Sequence, residues 1–245
     1  MKMTTISKNE FLLLCENCLK ENGLSRFCEE NTLLLLYKMV ENMLKVNAVM
    51  NLTAITEPRD VAVKHLADSL LAAALIPESA SLLDVGCGGG FPSLPLAIAR
   101  PDLRITALDS TAKKTAYVAD AAKLLGLNNL QTLTGRAEDL AQMPEYREKF
   151  DCTAARAVAS LPILCELCLP FVKIGGKMIA MKAKLDESES TMAPQTLGAS
   201  CFKRHEFTLR GAETEETRLI LVAKKQKHTP KEYPRAYTQI KKKPL

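Results

Sequence analysis

Apolar positions in the N-terminal third of the chain recur three and four residues apart, the spacing of amphipathic helices. Ser7-Lys-Asn-Glu10 precedes the first of these runs with the spacing of a capping box, so a helix is expected to start there. Leu12, Leu13, Cys15 or Glu16, and Leu19 give it one apolar face, and Asn22-Gly23 ends it. A longer helix is expected from Glu29 to about Val49, with Leu33, Leu36, Tyr37, Val40, Met43 and Leu44 inward. After the short connector Asn51-Leu-Thr-Ala-Ile-Thr, a third helix covers Asp60 to Leu75 and stops before Pro77.

Beyond this point strands and helices alternate. Strands are expected at Ser81–Val85, Arg104–Asp109, Leu130–Thr134, Phe150–Ala155 and Lys177–Lys182, the last opened by Gly175-Gly176. Helices between them run through Ala99 and over Ala112–Leu125, Ala137–Ala141 and Leu161–Val172. A helical segment near 187–197 leads to two late strands, Cys201–Leu209 and Thr217–Lys225, joined by the polar loop Arg210–Glu216. Repeated strand–helix units force a mostly parallel sheet covered on both faces. The last loop is short enough for antiparallel pairing. The expected fold is α/β and Rossmann-like, a mostly parallel seven-stranded sheet with an antiparallel late strand. Residues 1–78 form an N-terminal helical section packed on the core, 79–225 the main domain, and 226–245 a basic tail.

Composition narrows the class. The longest apolar run, Leu70 to Ile76, is far shorter than the roughly 20 residues a membrane span needs, and no apolar leader precedes Lys8. A soluble, cytoplasmic protein is expected, with no membrane partner, acting as a monomer. Cys15/Cys18 and Cys165/Cys168 have the spacing of zinc half-sites, but both pairs sit in leucine-rich helical runs where cysteine packs as a small hydrophobe. No metal is expected. Residues 224–245 carry eight bases and one acid, +7 against a whole-chain charge of +5, so the rest of the chain comes to −2. Such a tail either contacts a polyanion or keeps the chain in solution. On the first reading, removing residues 227–245 weakens binding of the polyanion and leaves any small-ligand site alone.

The strongest chemical signal is Leu83-Asp84-Val85-Gly86-Cys87-Gly88-Gly89-Gly90-Phe91-Pro92, between a strand and a helix. This is where a doubly wound sheet binds a nucleotide. A dinucleotide fingerprint would place a small residue at position 91, where Phe91 stands. The acid at Asp84, with Gly86, Gly88 and Gly90, suits the methionine ammonium of S-adenosylmethionine and would repel a pyrophosphate. Asp109, at the end of the second strand, either accepts both ribose hydroxyls or caps the next helix. Ala137 and Glu138 open the helix after the third strand, where backbone N–H groups reach adenine or simply cap.

Asn51-Leu-Thr-Ala-Ile, Lys64-His65-Leu-Ala-Asp68-Ser69, the glycine loop, Leu108-Asp109-Ser110, Ala155-Arg156-Ala-Val-Ala-Ser-Leu161 and Ala180-Met-Lys182 follow one another in order. As an ordered set they resemble the small-subunit ribosomal RNA methyltransferase G family (glucose-inhibited division protein B), over roughly residues 10 to 245. The resemblance implies a class I methyltransferase fold, S-adenosylmethionine as cofactor, 16S ribosomal RNA or the small ribosomal subunit as partner, and methylation of N7 of a guanine at position 527. It places cofactor contacts on Gly86, Phe91, Ala137, Glu138 and Arg156. The chain departs from many relatives in lacking Gly-Thr-Pro after Tyr233-Pro-Arg235.

Guanine N7 carries a free lone pair, so the reaction needs alignment rather than a general base. An arginine gripping O6 and N7 together would block the acceptor. Arg156 is therefore assigned to positioning cofactor or phosphate, and Lys182 to RNA phosphate or O6. The alternative for each is a surface cation paired with an acid. His65 either orders the site through Asp68, three residues along the helix, or is a satisfied structural histidine.

Overall fold

A computed structural model describes residues 6–156, 158–183, 192–211 and 215–245. Among them, seven strands form one sheet: β1 (Ser81–Val85), β2 (Arg104–Asp109), β3 (Leu130–Thr134), β4 (Phe150–Arg156), β5 (Val172–Lys182), β6 (Lys203–Leu209) and β7 (Glu216–Lys224). Their order is β3-β2-β1-β4-β5-β7-β6. The first five strands pair in parallel, and β7 runs antiparallel to both β5 and β6. From β1 the chain winds outward first one way and then the other, which leaves a crevice beyond the carboxyl ends of β1 and β4.

Side chains alternate across the sheet and feed two cores. Leu82, Ile105, Ala107, Cys152, Ala154 and Ile179 enter one; Leu83, Val85, Leu108, Ala155, Met178 and Ala180 enter the other. The first core receives the N-terminal helices. Helix α1 (Lys8–Glu21) opens with the expected capping box: the Glu10 N–H donates to Ser7 Oγ at 3.3 Å and the Ser7 N–H to Glu10 Oε2 at 2.7 Å. Helix α2 (Glu30–Met50) buries Leu33, Leu36, Met39, Val40 and Met43. Each of the fully buried side chains contributes about 1.5–3 kcal/mol.

The third helical stretch is not the uniform helix its pattern suggests. It starts earlier, as α3 (Pro58–Asp60), widens into a π-helix over Val61–Ala67, returns to α4 (Asp68–Leu71) and closes as a 3-10 turn over Ala72–Ala74. Pro58 fits the first turn, where no N–H is needed. π segments are frequent at functional sites, and this one carries Lys64 and His65.

Helix α5 (Ser93–Ala99) follows the glycine loop, α6 (Ala112–Leu125) follows β2, and the single-turn α7 (Ala137–Leu140) follows β3. Helix α2 packs against α5 and α6. Helix α8 (Leu161–Cys168) ends four residues before the expected Val172. Pro170 cannot donate a helical hydrogen bond, so Leu169–Phe171 is a 3-10 turn that feeds β5. Strand β5 begins at Val172 and runs through both glycines rather than starting after them. Of the helix expected near 187–197, residues 187–191 lie outside the described residues, and α9 covers only Ala193–Thr196. Strand β6 begins two residues later than expected.

Residues 226–245 fold back onto the second core. Arg147 donates to the carbonyls of Thr229, Pro230 and Tyr233 at 2.9–3.2 Å. Arg235 grips the fully buried Glu166 of α8 through Nε and Nη2 at 2.8 and 2.7 Å. Ile240, on α10 (Tyr237–Lys242), is completely buried. No helix among the described residues is long and apolar enough to cross a membrane.

Candidate functional site

A cavity of about 490 Å³ opens beyond the carboxyl ends of the central strands, a size suited to a cofactor. Its floor is the loop after β1, and the loop's amides turn inward. Gly86 and Cys87 both donate to the Leu108 carbonyl, at 2.8 and 2.9 Å. Gly88 donates to Asp109 Oδ2 at 3.0 Å, and Gly90 and Phe91 to the Cys87 carbonyl at 2.8 and 3.2 Å. A pyrophosphate needs such N–H groups free. With these taken up, the loop fits a ligand that brings its own donors, as the ammonium of S-adenosylmethionine does.

Asp84 lies under this loop and is completely buried. Its Oδ2 accepts from the Ser93 hydroxyl, and Oδ1 has no partner among the described residues. Burial pushes its pKa up to about 6, against the Ser93 hydrogen bond and Arg156. An unmet acceptor beneath the loop suits a cation above it. Gly86, Gly88 and Phe91 line the cavity; Asp84 and Gly90 do not.

Asp109, at the tip of β2, serves two ends at once. Its Oδ1 accepts from the Thr111 N–H at 2.9 Å, and its Oδ2 from Gly88, while the carboxylate lines the cavity. A carboxylate has about four lone-pair sites, so two remain for hydroxyl donors. Beyond β3, Gly135, Arg136, Ala137 and the buried Glu138 line the far side.

A second cavity of about 430 Å³ adjoins the first and shares His65 and Arg156 with it. The partition between the two is tightly tied. The His65 ring stacks on Phe91, with centroids 4.2 Å apart and planes inclined by 12°. Arg156 can only donate, so its 3.2 Å contact makes His65 Nδ1 an acceptor and leaves the proton on Nε2, which donates to Thr53 Oγ1 at 2.8 Å. Burial, reinforced by Arg156, lowers the His65 pKa to about 3, so the ring is neutral. Arg156 also donates to Asp68 Oδ2 and to the Lys64 carbonyl, both at 2.9 Å, and Asp68 Oδ1 lies 3.2 Å from Arg218 Nε. Lys182 lines the second cavity and not the first.

The structure thus brings together Gly86, Gly88, Phe91, Asp109, Ala137, Glu138, Arg156 and His65, with Lys182 next door. Sequence reasoning missed Thr53, Arg218 and Tyr237. Thr53 lies in a motif already singled out, and an acceptor close in sequence to a buried histidine was a usable signal. Arg218, on β7, had none, because its partner Asp68 is far away in the chain. Tyr237 belongs to the segment whose charge reads as a tail, yet it lines the 490 Å³ cavity. The cysteines of both CxxC pairs are buried in α1 and α8, and among the described residues no group of His, Cys, Asp or Glu is placed to hold a metal.

The family model described as rRNA small subunit methyltransferase G matches residues 32–219. The ribosomal RNA small subunit methyltransferase G of Lactobacillus helveticus is 43% identical over 212 residues, covering 83% of this chain and 87% of that protein. The protein of that name from Halalkalibacterium halodurans is also 43% identical, covering 81% and 85%. Among solved structures, an O-methyltransferase from Bacillus cereus in complex with SAH superposes with a TM-score of 0.53 at 21% identity, covering 76% of this chain and 90% of that one. The cyclase SpnF superposes equally well, with a TM-score of 0.53 at 16% identity and coverage of 78% and 93%. The fold alone therefore does not fix the reaction.

Proposed function

The chain belongs to the rRNA small subunit methyltransferase G family, and on that premise we propose that it transfers a methyl group from S-adenosylmethionine to N7 of the guanine at position 527 of 16S ribosomal RNA. The cofactor supplies an electrophilic methyl on a sulfonium. Gly86, Gly88 and Phe91 would hold its methionine arm, Asp109 its ribose, and Ala137 and Glu138 its adenine side. The second cavity, lined by Lys64, Lys182, Arg156 and Arg218, suits an RNA nucleotide.

One observation carries the N7 assignment: the bases that line the second cavity are already engaged. His65 offers Nδ1 to Arg156, and both Asp68 oxygens face arginines. N1 or a ribose hydroxyl must lose its proton on methylation, whereas N7 attacks with a lone pair it already has. The work left to the protein is alignment, worth up to roughly 7–11 kcal/mol. Arg156, tied to Asp68, keeps its charge balanced beside a base that becomes positive.

The test is to incubate the protein with S-adenosylmethionine and small subunits lacking the modification, then digest the RNA for mass spectrometry. We expect 7-methylguanosine, with aniline cleaving the RNA at one nucleotide. A methyl group on N1, N2 or a ribose oxygen would overturn the assignment.

A further inference from the structure

We propose that the docked C-terminal segment is one wall of the cofactor site, with Tyr237 packing its ring against the adenine. The inference rests on the cofactor reading above. Tyr237 is the residue of 226–245 that lines the 490 Å³ cavity, and it remains 37% exposed there. Arg136, which also lines the cavity, has its guanidinium carbon 6.0 Å from the ring centroid.

Strand order fixes which end of the ligand meets this ring. The glycine loop follows β1, Asp109 ends β2, and Arg136 follows β3, the edge strand beyond β2. With the ribose on Asp109, the methionine arm lies over the loop toward Phe91 and Arg156. The adenine then extends the other way, toward Arg136, Ala137 and Tyr237. The ring is held there by two anchors. Two residues before it, Arg235 is clamped on the buried Glu166, and three residues after it, Ile240 is completely buried. The segment is therefore not separable from cofactor binding, contrary to what its charge alone suggests.

Calorimetry with S-adenosylhomocysteine and with 5′-methylthioadenosine, which keeps the adenosine and lacks the amino-acid arm, tests the assignment. Tyr237→Ala should weaken both by the same factor, about tenfold, and Tyr237→Phe should restore both. The sequence contains no tryptophan, so Tyr237→Trp creates a single indole fluorophore. Its emission should change saturably as S-adenosylhomocysteine is added. Unchanged affinity in folded Tyr237→Ala, or weakened binding of S-adenosylhomocysteine alone, would overturn the proposal. So would indole emission that stays constant in a Tyr237→Trp variant that calorimetry shows to bind. In those cases the cofactor reading survives; wild-type protein that binds neither compound would sink both.

Discussion

The glycine loop and the C-terminal segment border the same cavity and are held by opposite means. The loop's hydrogen bonds run from Gly86, Cys87 and Gly88 to the tip of the neighbouring strand, and from Gly90 and Phe91 to Cys87. Beyond its first turn, where Gln226 and Lys227 donate to the Gly198 carbonyl, the C-terminal segment is fastened largely by side chains 69 to 92 residues away in sequence, such as Glu166 to Arg235 and Gln142 to the Pro234 carbonyl. The loop is backbone geometry, and it tolerates only residues that can adopt that geometry. The segment is a set of polar clamps, each removable one at a time. A defect in the loop should therefore damage folding and cofactor binding together, whereas a defect in a clamp should loosen one wall.

The largest effect is expected inside the loop. Gly90 has φ +88°, and a Cβ there would lie 2.5 Å from Leu94 Cδ1 and 2.9 Å from its Cγ. Leu94 is buried in α5 and has little room to move. Gly90→Ala should cost about 2–5 kcal/mol, from the left-handed backbone and the overlap together. Gly88, at φ +53°, has nothing nearer than 3.9 Å, so Gly88→Ala should cost only about 1–2 kcal/mol. Because Gly88 lines the cavity, that variant should fold and bind S-adenosylhomocysteine poorly. Urea midpoints for the pair, followed by calorimetry on Gly88→Ala, check this. Equal midpoints would mean that the loop relaxes and is not set by packing.

On the segment, the largest single clamp is Glu166. It is fully buried and paired with an arginine that is 22% exposed. Glu166→Ala leaves Arg235 without its carboxylate and should cost about 3 kcal/mol, the lower end for a broken buried pair. The melting temperature should fall, and affinity for S-adenosylhomocysteine should fall with it as Tyr237 loses its anchor. A stable variant with weakened cofactor binding would sharpen the contrast. Unchanged binding would show that Ile240 and the remaining clamps hold the wall without Glu166.

The contrast also separates the segment's bases by role. Lys225, just before the segment, is buried and donates to the Leu169 carbonyl at 2.8 Å, and Arg235 is clamped, but Lys241, Lys242 and Lys243 are exposed at its end. Replacing those three with alanine should leave cofactor affinity unchanged and make the salt dependence of RNA binding shallower by about 2 in log–log slope. Filter binding across a salt series reads this directly. An unaltered slope would remove them from the RNA surface.

The same contrast explains what could be read from the sequence. The sequence places the glycine loop and Asp109 at the cavity, where the structure has them, because motif and strand ends are local in the chain; Asp84, read from the same motif, lies under the loop and does not line the cavity. The partition between the two cavities was only half legible. His65 and Arg156 stood out, but the contacts of His65 with Thr53, of Arg156 with Asp68 and of Asp68 with Arg218 need a π-helix, β4 and β7 to meet. Hydrophobic periodicity does not encode the widened turn over Val61–Ala67. For the C-terminal segment, charge counting sums the bases and cannot tell which are clamped. One apolar anchor, Ile240 among lysines, is too little to show a docked face.

A further effect is a pH slope set in the partition between the two cavities, nearly hidden in the wild-type protein. His65 titrates at about 3 in the folded protein against an ordinary 6.5. The unfolded chain binds more protons there, so this contribution to stability is complete above pH 6.5 and is lost as pH falls toward 3. The loss is about 1.4 kcal/mol per pH unit. Asp84 acts in the opposite sense. Its folded pKa of about 6 lies above an ordinary 3.8, so its contribution is complete below 3.8 and is lost as pH rises through 6. Between about pH 4 and 6 the two slopes oppose each other and largely cancel. His65→Gln removes one of them while keeping an acceptor for Arg156 and a donor for Thr53. Other groups titrate alike in both proteins and drop out of the difference. The stability of the variant relative to wild type should therefore rise by about 1.4 kcal/mol for each pH unit from about 6 down to 4. Urea midpoints at three pH values measure it. A constant difference would mean that His65 titrates normally, which requires a partition open to water and leaves the ring free to act as a base, against the N7 assignment.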